Sequence, residues 1–287
     1  MGAALKIVRD VVAWRIANLE MANLAGSLSI ALALRLRPLD VAVRFAFAFL
    51  LNVLVYLNND TLDVALDLQS DDKSRAKTSF LAEHLSAARA AQAVLAVLLV
   101  AIAALWDLGL FVPLLLGGGI CVLYSSLLKR TAWFDVAAMV AWGVAMPLCG
   151  TPIGNPLGWA MAVQLGLFAG VFECLQVMRD APDDAAQGLR TTGVVLGHRR
   201  TLLLARALMA AASAWSLVVL SVLAAAVSGY AVATRVEEKD VGRAWTSVKV
   251  IYGVAWLAIC AVVLLHGRSA GLMASVVGVP LPSGVAP

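Results

Sequence analysis

The stretch Phe45-Ala46-Phe47-Ala48-Phe49-Leu50-Leu51-Asn52-Val53-Leu54-Val55-Tyr56-Leu57-Asn58-Asn59-Asp60-Thr61-Leu62-Asp63-Val64-Ala65-Leu66-Asp67 runs from an apolar segment straight into an acidic one. The first part suits hydrocarbon. The second carries Asn59, Asp63 and Asp67 at steps of four, and side chains four apart lie near one face of a helix. A spanning helix that runs on past the membrane would aim all three toward one place. The plainer alternative is a solvated helix end, where acidic residues only mark the membrane boundary.

Asp180-Ala181-Pro182-Asp183-Asp184 follows another apolar stretch and repeats the step of four between Asp180 and Asp184. Alone it reads equally well as a loop. Cations follow both clusters: Lys73, Arg75 and Lys77 after the first, Arg190 after the second. Hard oxygen ligands suit Mg²⁺. Two such sets facing each other, with cations nearby, would form a receptacle for a diphosphate held through metal ions.

Composition sets the class. The chain is 62% hydrophobic and 14% charged, with mean hydropathy +0.88, whereas soluble domains are roughly one quarter charged. A soluble 287-residue protein could not hide that much apolar surface, so an all-α polytopic transmembrane bundle is expected. The net charge is only +4 and the basic residues gather in loops, which points to membrane orientation and membrane lipids and away from nucleic acid. Cys121, Cys149, Cys174 and Cys260 sit in apolar stretches without disulfide or zinc spacing and read as small hydrophobes. The N-terminus lacks a small-residue cleavage pattern, so no cleaved signal peptide is read.

Crossing the hydrocarbon core takes about 20 residues. Spans are expected near 17–35, 40–57, 87–106, 109–127, 134–151, 157–178, 202–228 and 248–266. The region 202–234 is long for one span and short for two, with Ser228-Gly229 as the visible break, so eight or nine helices around a central cavity are expected. The whole of 1–287 reads as one membrane-embedded domain, with 1–14 as an N-terminal cytoplasmic segment and 268–287 as a tail. The longest polar connections are 58–86, 179–201 and 235–247. The first two fall on one side, with Lys6, Arg9, Lys129, Arg130, Arg199 and Arg200, and the positive-inside rule makes that side cytoplasmic. In a bacterial cell this is the inner membrane.

At these motifs the chain resembles the UbiA superfamily of intramembrane prenyltransferases. Asn59-Asp60-x-x-Asp63-x-x-x-Asp67 is similar to the first motif of that family. Asp180-x-x-x-Asp184, running on to Gly188-Leu189-Arg190-Thr191-Thr192, is similar to the second, and Tyr124-Ser125-Ser126-Leu127-Leu128-Lys129 to its Tyr-Ser…Lys segment. The chain departs from the pattern where Arg15 is followed by no proline and where Gln187 replaces a common lysine. The resemblance implies nine helices around a cavity, Mg²⁺ bridging an isoprenoid diphosphate to both motifs, and transfer of the prenyl group to a lipophilic, often aromatic, acceptor.

On that reading Asn59, Asp63, Asp67, Asp180 and Asp184 hold the metal. Arg75, Lys77, Lys129 and Arg190 cradle the phosphate oxygens, arginine offering bidentate contact, and Tyr124 donates a hydrogen bond or faces the cation with its ring. Ionisable groups inside spans are functional candidates because burying charge in lipid is costly. Glu173, two turns before Asp180 on the same face, and Glu20 are the candidate bases, with pairing to Arg15 the plainer role for Glu20. Asp135 reads as a charge at a helix start, and His84, His198 and His266 as surface residues. A terpene cyclase acting on the same diphosphate without an acceptor is the alternative. A transporter fits less well, because both clusters lie at span ends.

Overall fold

The computed structural model describes residues 2–18, 20–68, 75–128 and 131–273. Among them the α-helices run in the order α1 (Ala3–Ala17), α2 (Ala22–Ala33), α3 (Pro38–Asp67), α4 (Arg75–Glu83), α5 (Leu85–Trp106), α6 (Phe111–Ser126), α7 (Phe134–Ala145), α8 (Pro156–Ala186), α9 (Thr192–Trp215), α10 (Val222–Tyr230) and α11 (Val241–His266). The only strand-like pairings among the described residues are two isolated bridges.

Two helices are long for a reason that bears on function. With 30 residues in α3 and 31 in α8, each extends about 45 Å at 1.5 Å per residue, against a hydrocarbon core of about 30 Å. Each therefore overruns the membrane by several turns. In both, the excess turns are the acidic ones. The second cluster is thus helical, not part of a loop, and Pro182 sits within α8. Proline forfeits one main-chain donor, a loss that water at the helix end can compensate. The expected connections 58–86 and 179–201 shrink accordingly, because α4 and the start of α9 occupy much of them.

Among the described residues six helices are long and apolar enough to cross a membrane, fewer than the eight or nine expected. The difference has identifiable causes. The expected first span is broken: α1 and α2 meet at 78°, and Asn18 ends α1 by donating its side-chain amide to the Trp14 carbonyl. Glu20 therefore lies at a bend and not inside a span. Phe134–Gly150 and Val222–Ala233 are apolar but short. The region 202–234 does turn back on itself, though at Ser221, ahead of Ser228-Gly229. Ser221 caps the new helix by accepting the Ala224 N–H, and Ser213 of α9 donates to the Ala225 carbonyl of α10 at 2.9 Å. With the bent pair counted as one span the described residues hold seven, and the two short apolar helices stand beside these.

α8 lies at the centre and is mostly buried, whereas α5 is mostly exposed and turns Val94, Val97 and Leu98 outward, toward lipid. Small residues let α7 and α8 approach closely: a Cβ at Gly166 would sit 2.4 Å from Val144 Cγ2, and one at Gly143 2.5 Å from Ala169 Cβ. This is a common way for helices to pack in lipid, where the hydrophobic effect gives no help. On another face Phe168 stacks on Tyr252 with ring centroids 3.9 Å apart, joining α8 to α11. At the end away from the acidic turns, buried Arg44 pairs with Asp40 and Asp107 and donates to the Thr151 carbonyl at 3.0 Å.

At Gly150 a Cβ would lie 2.0 Å from the Ser27 carbonyl oxygen of α2. Gly150→Ala is expected to destabilise the bundle by about 3 kcal/mol, the upper end for overpacking, because the obstacle is backbone. A thermal midpoint in detergent equal to that of the wild type would contradict this packing.

Candidate active site

On α3 the residues at steps of four separate cleanly from their neighbour Asp60. Asn59 and Asp67 are half-buried and Asp63 is buried. Asp60, rotated about 100° from Asn59, turns the other way. Its Oδ2 takes Lys77 Nζ at 2.8 Å, and its Oδ1 pairs with Arg15, which also pairs with Glu20. The Arg15 guanidinium lies 4.5 Å from the centre of the Tyr56 ring. Asp60 thus ties α1 and α4 to the acidic helix. Glu20 is a partner of Arg15, the plainer of the two roles read for it, and Lys77, expected on phosphate, rests on a carboxylate.

On α8 Asp180 is paired with its neighbour Arg179 at 2.7 Å. Asp184 Oδ2 accepts the Thr191 hydroxyl at 3.0 Å. Arg75 opens α4 and Arg190 precedes α9, both exposed. Lys129 lies outside the described residues.

Helix α6 connects the two sides. Ser125 donates to Asn59 Oδ1 at 2.8 Å, and the adjacent Tyr124 donates to Glu173 Oε1 at 2.9 Å. Successive helical residues diverge by about 100°, so one turn of α6 reaches both acid-bearing helices. One turn earlier, the Cys121 thiol donates to the Val55 carbonyl of α3 at 3.5 Å. Glu173 is 3% exposed. Hydrogen bonds therefore bring together Asn59 of α3 and Glu173 of α8, with the Tyr124-Ser125 pair between them.

The structure also adds what sequence reasoning missed. Asp135 is a first-turn acid of α7, as expected, but it is fully buried and bonded to Thr192. The signal available was a carboxylate set between Phe134 and Val136, in surroundings where charge is costly. Two of the histidines are half-buried: His84 stacks on Phe80 at 4.2 Å, and His198 has a buried Nδ1. His266 is exposed. The four cysteines are free, three of them buried.

A multi-helix intramembrane bundle whose longest helices carry paired acidic turns at one end is the class defined by this geometry. Residues 21–236 match the UbiA prenyltransferase family, and the chain belongs to that family. It is an integral multi-pass membrane protein of prenyltransferase type. Comparison with curated proteins returned no match. Among solved structures, it is similar to a digeranylgeranylglyceryl phosphate synthase, with TM-score 0.70 at 15% identity over 92% of this chain and 100% of that one. A UbiA homologue from Archaeoglobus fulgidus bound to GPP and Mg²⁺ is similar with TM-score 0.62 at 18% identity, covering 92% and 100%. The structure of a UbiA homologue from the same organism bound to DMAPP and Mg²⁺ gives 0.57 at 19% identity, covering 98% and 95%. At these identities the likeness is one of fold.

Proposed function

We propose that this protein is a Mg²⁺-dependent prenyltransferase that ionises an isoprenoid diphosphate and passes the prenyl group to a lipophilic or aromatic acceptor. The observation that carries this reading is the double attachment of α6, with Ser125 on Asn59 and Tyr124 on buried Glu173. That attachment supports a site in which one buried carboxylate serves acidic arrays on two helices of an apolar bundle. The GPP and DMAPP bound with Mg²⁺ in the Archaeoglobus fulgidus homologues support the choice of substrate.

The donor set suits the ion. Asn59, Asp63, Asp67, Asp180 and Asp184 offer only oxygen, which Mg²⁺ prefers. Among the described residues, no three acidic, histidine or cysteine side chains gather closely enough to hold an ion unaided. Mg²⁺ commonly takes one or two carboxylates together with substrate phosphates, so these oxygens would share it with a bound diphosphate. When bound, the ion would neutralise charge on the departing diphosphate. Arg75, Lys129 and Arg190 would hold the phosphate oxygens, and Lys77 could join them by leaving Asp60. The apolar surroundings would keep water from the allylic cation. Glu173, steadied by the Tyr124 hydroxyl, would take the proton that the acceptor loses.

The part-buried Tyr124–Glu173 pair equally suits a terpene cyclase, in which Glu173 would take the last proton of the cyclising cation. Purified protein incubated with Mg²⁺ and geranyl, farnesyl or geranylgeranyl diphosphate, with and without aromatic acceptors, separates the two by product mass. A prenylated acceptor supports transfer, and a cyclic hydrocarbon formed without acceptor supports cyclisation.

The exposed cations Arg199 and Arg200 near the acidic ends favour a cytoplasmic site. In a cysteine-free background, Gln187→Cys is expected to react with an impermeant thiol reagent only from the cytoplasm. Gly154→Cys, at the opposite end of α8, should react only from the other side. The reverse pattern would overturn this orientation.

A further inference from the structure

The second acidic motif is braced from behind by a carboxylate to which the proposed chemistry gives no role. Asp135, buried in the first turn of α7, accepts the Thr192 main-chain N–H on Oδ2 at 2.6 Å and the Thr192 hydroxyl on Oδ1. Thr192 Oγ1 in turn accepts the Trp133 N–H at 2.7 Å. Trp133 has φ 73°, a left-handed backbone that aromatic residues rarely adopt and that persists where the surroundings over-determine it. The residue before Thr192 completes the connection, as Thr191 donates to Asp184 Oδ2 at 3.0 Å. The residue after it is wedged, since a Cβ on Gly193 would lie 2.0 Å from the Val177 carbonyl oxygen of α8.

Three consecutive residues therefore pin the start of α9 to α7 and α8 and end on a carboxylate of the acidic motif. A simple strut between α7 and α9 would need Thr192 alone. The Thr191–Asp184 bond makes it more than a strut. Asp184 occupies the last turn of α8, where helices fray, so its carboxylate needs an outside partner to hold one orientation. A carboxylate buried as fully as Asp135 is tolerated only when its oxygens are hydrogen-bonded, which makes it a fixed reference point for that partner.

We propose that Asp135 is a positioning residue for the second acidic motif, setting the Asp184 carboxylate through Thr192 and Thr191. The proposal rests on the reading above, in which Asp184 helps to hold a metal-bound diphosphate. Groups behind a metal ligand typically cost about 10- to 100-fold in metal affinity when lost.

The test is binding of Mg²⁺ with geranyl thiolodiphosphate, an analogue that resists ionisation, to the purified full chain by calorimetry. Thr191→Val keeps the side-chain shape and removes the donor. It is expected to weaken Mg²⁺-dependent binding about tenfold with an unchanged melting midpoint, and Thr191→Ser should restore it. Asp135→Asn should weaken binding to a similar extent, and combining it with Thr191→Val should add little. If Asp135→Asn fails to fold, the Thr191 pair decides the matter alone. Wild-type affinity in Thr191→Val, with binding lost in Asp184→Ala, would overturn the positioning role and leave the functional reading intact. No binding by the folded wild type would instead defeat the functional reading, and this inference with it.

Discussion

Replacing Asp63 by alanine is expected to lower prenyl diphosphate turnover about 10³-fold, the scale on which one preorganised electrostatic contact is lost. Asp63 is buried on the inward face of α3, one turn past Asn59, which Ser125 holds. Asp184→Ala, on the facing helix, should cost about as much. The informative case is the double variant. If both carboxylates grip one diphosphate through shared metal, the first loss already disables the unit and the second adds little, as for other residues that act together. The measurement is release of inorganic diphosphate under saturating Mg²⁺ by each single variant and the pair. Independent losses that multiply would mean two separate sites.

The second large effect is expected at Glu173. Glu173→Gln retains the size and an acceptor for the Tyr124 hydroxyl but removes the base, and product formation should fall by about 10²-fold or more. Binding of the diphosphate should change little, because Glu173 lies some 10 Å before Asp180 along α8, at about 1.5 Å per residue. The product distinguishes the chemistries. Continued diphosphate release with a prenyl alcohol in place of the transferred product assigns Glu173 to the acceptor. A different cyclic hydrocarbon would assign it to the end of a cation cascade. Wild-type rate and product would leave the Tyr124–Glu173 bond as a packing contact.

Much of this architecture was legible because α3 combines an uninterrupted apolar run with oxygens at helical spacing, and a helix longer than the membrane is thick must present its excess at one face. The same logic applied to α8 but was obscured by Pro182 and three nearby aspartates, which locally look like a turn. The break in the first span was hidden because Asn18, Glu20 and Asn23 read as polar residues within a helix when they mark a bend. Position 221 was missed because a serine within an apolar segment gives no sign that it caps a new helix. The Asp135–Thr192 contact joins residues 57 apart in the chain, and nothing local announces a pairing of that range. For the same reason Lys77 was legible as a cation beside the motif, while its resting partner, Asp60, was not.

The central claim is that the two acidic helices act on one prenyl diphosphate through a divalent ion, and diphosphate release tests it most directly. Purified protein supplied with geranyl, farnesyl or geranylgeranyl diphosphate and an aromatic acceptor panel should release diphosphate in Mg²⁺ and stop when EDTA is added. Restored Mg²⁺ should restart the wild type and leave Asp63→Ala inactive. Release that continues in EDTA, or folded wild type that releases none from any of the three substrates in Mg²⁺, would contradict the account.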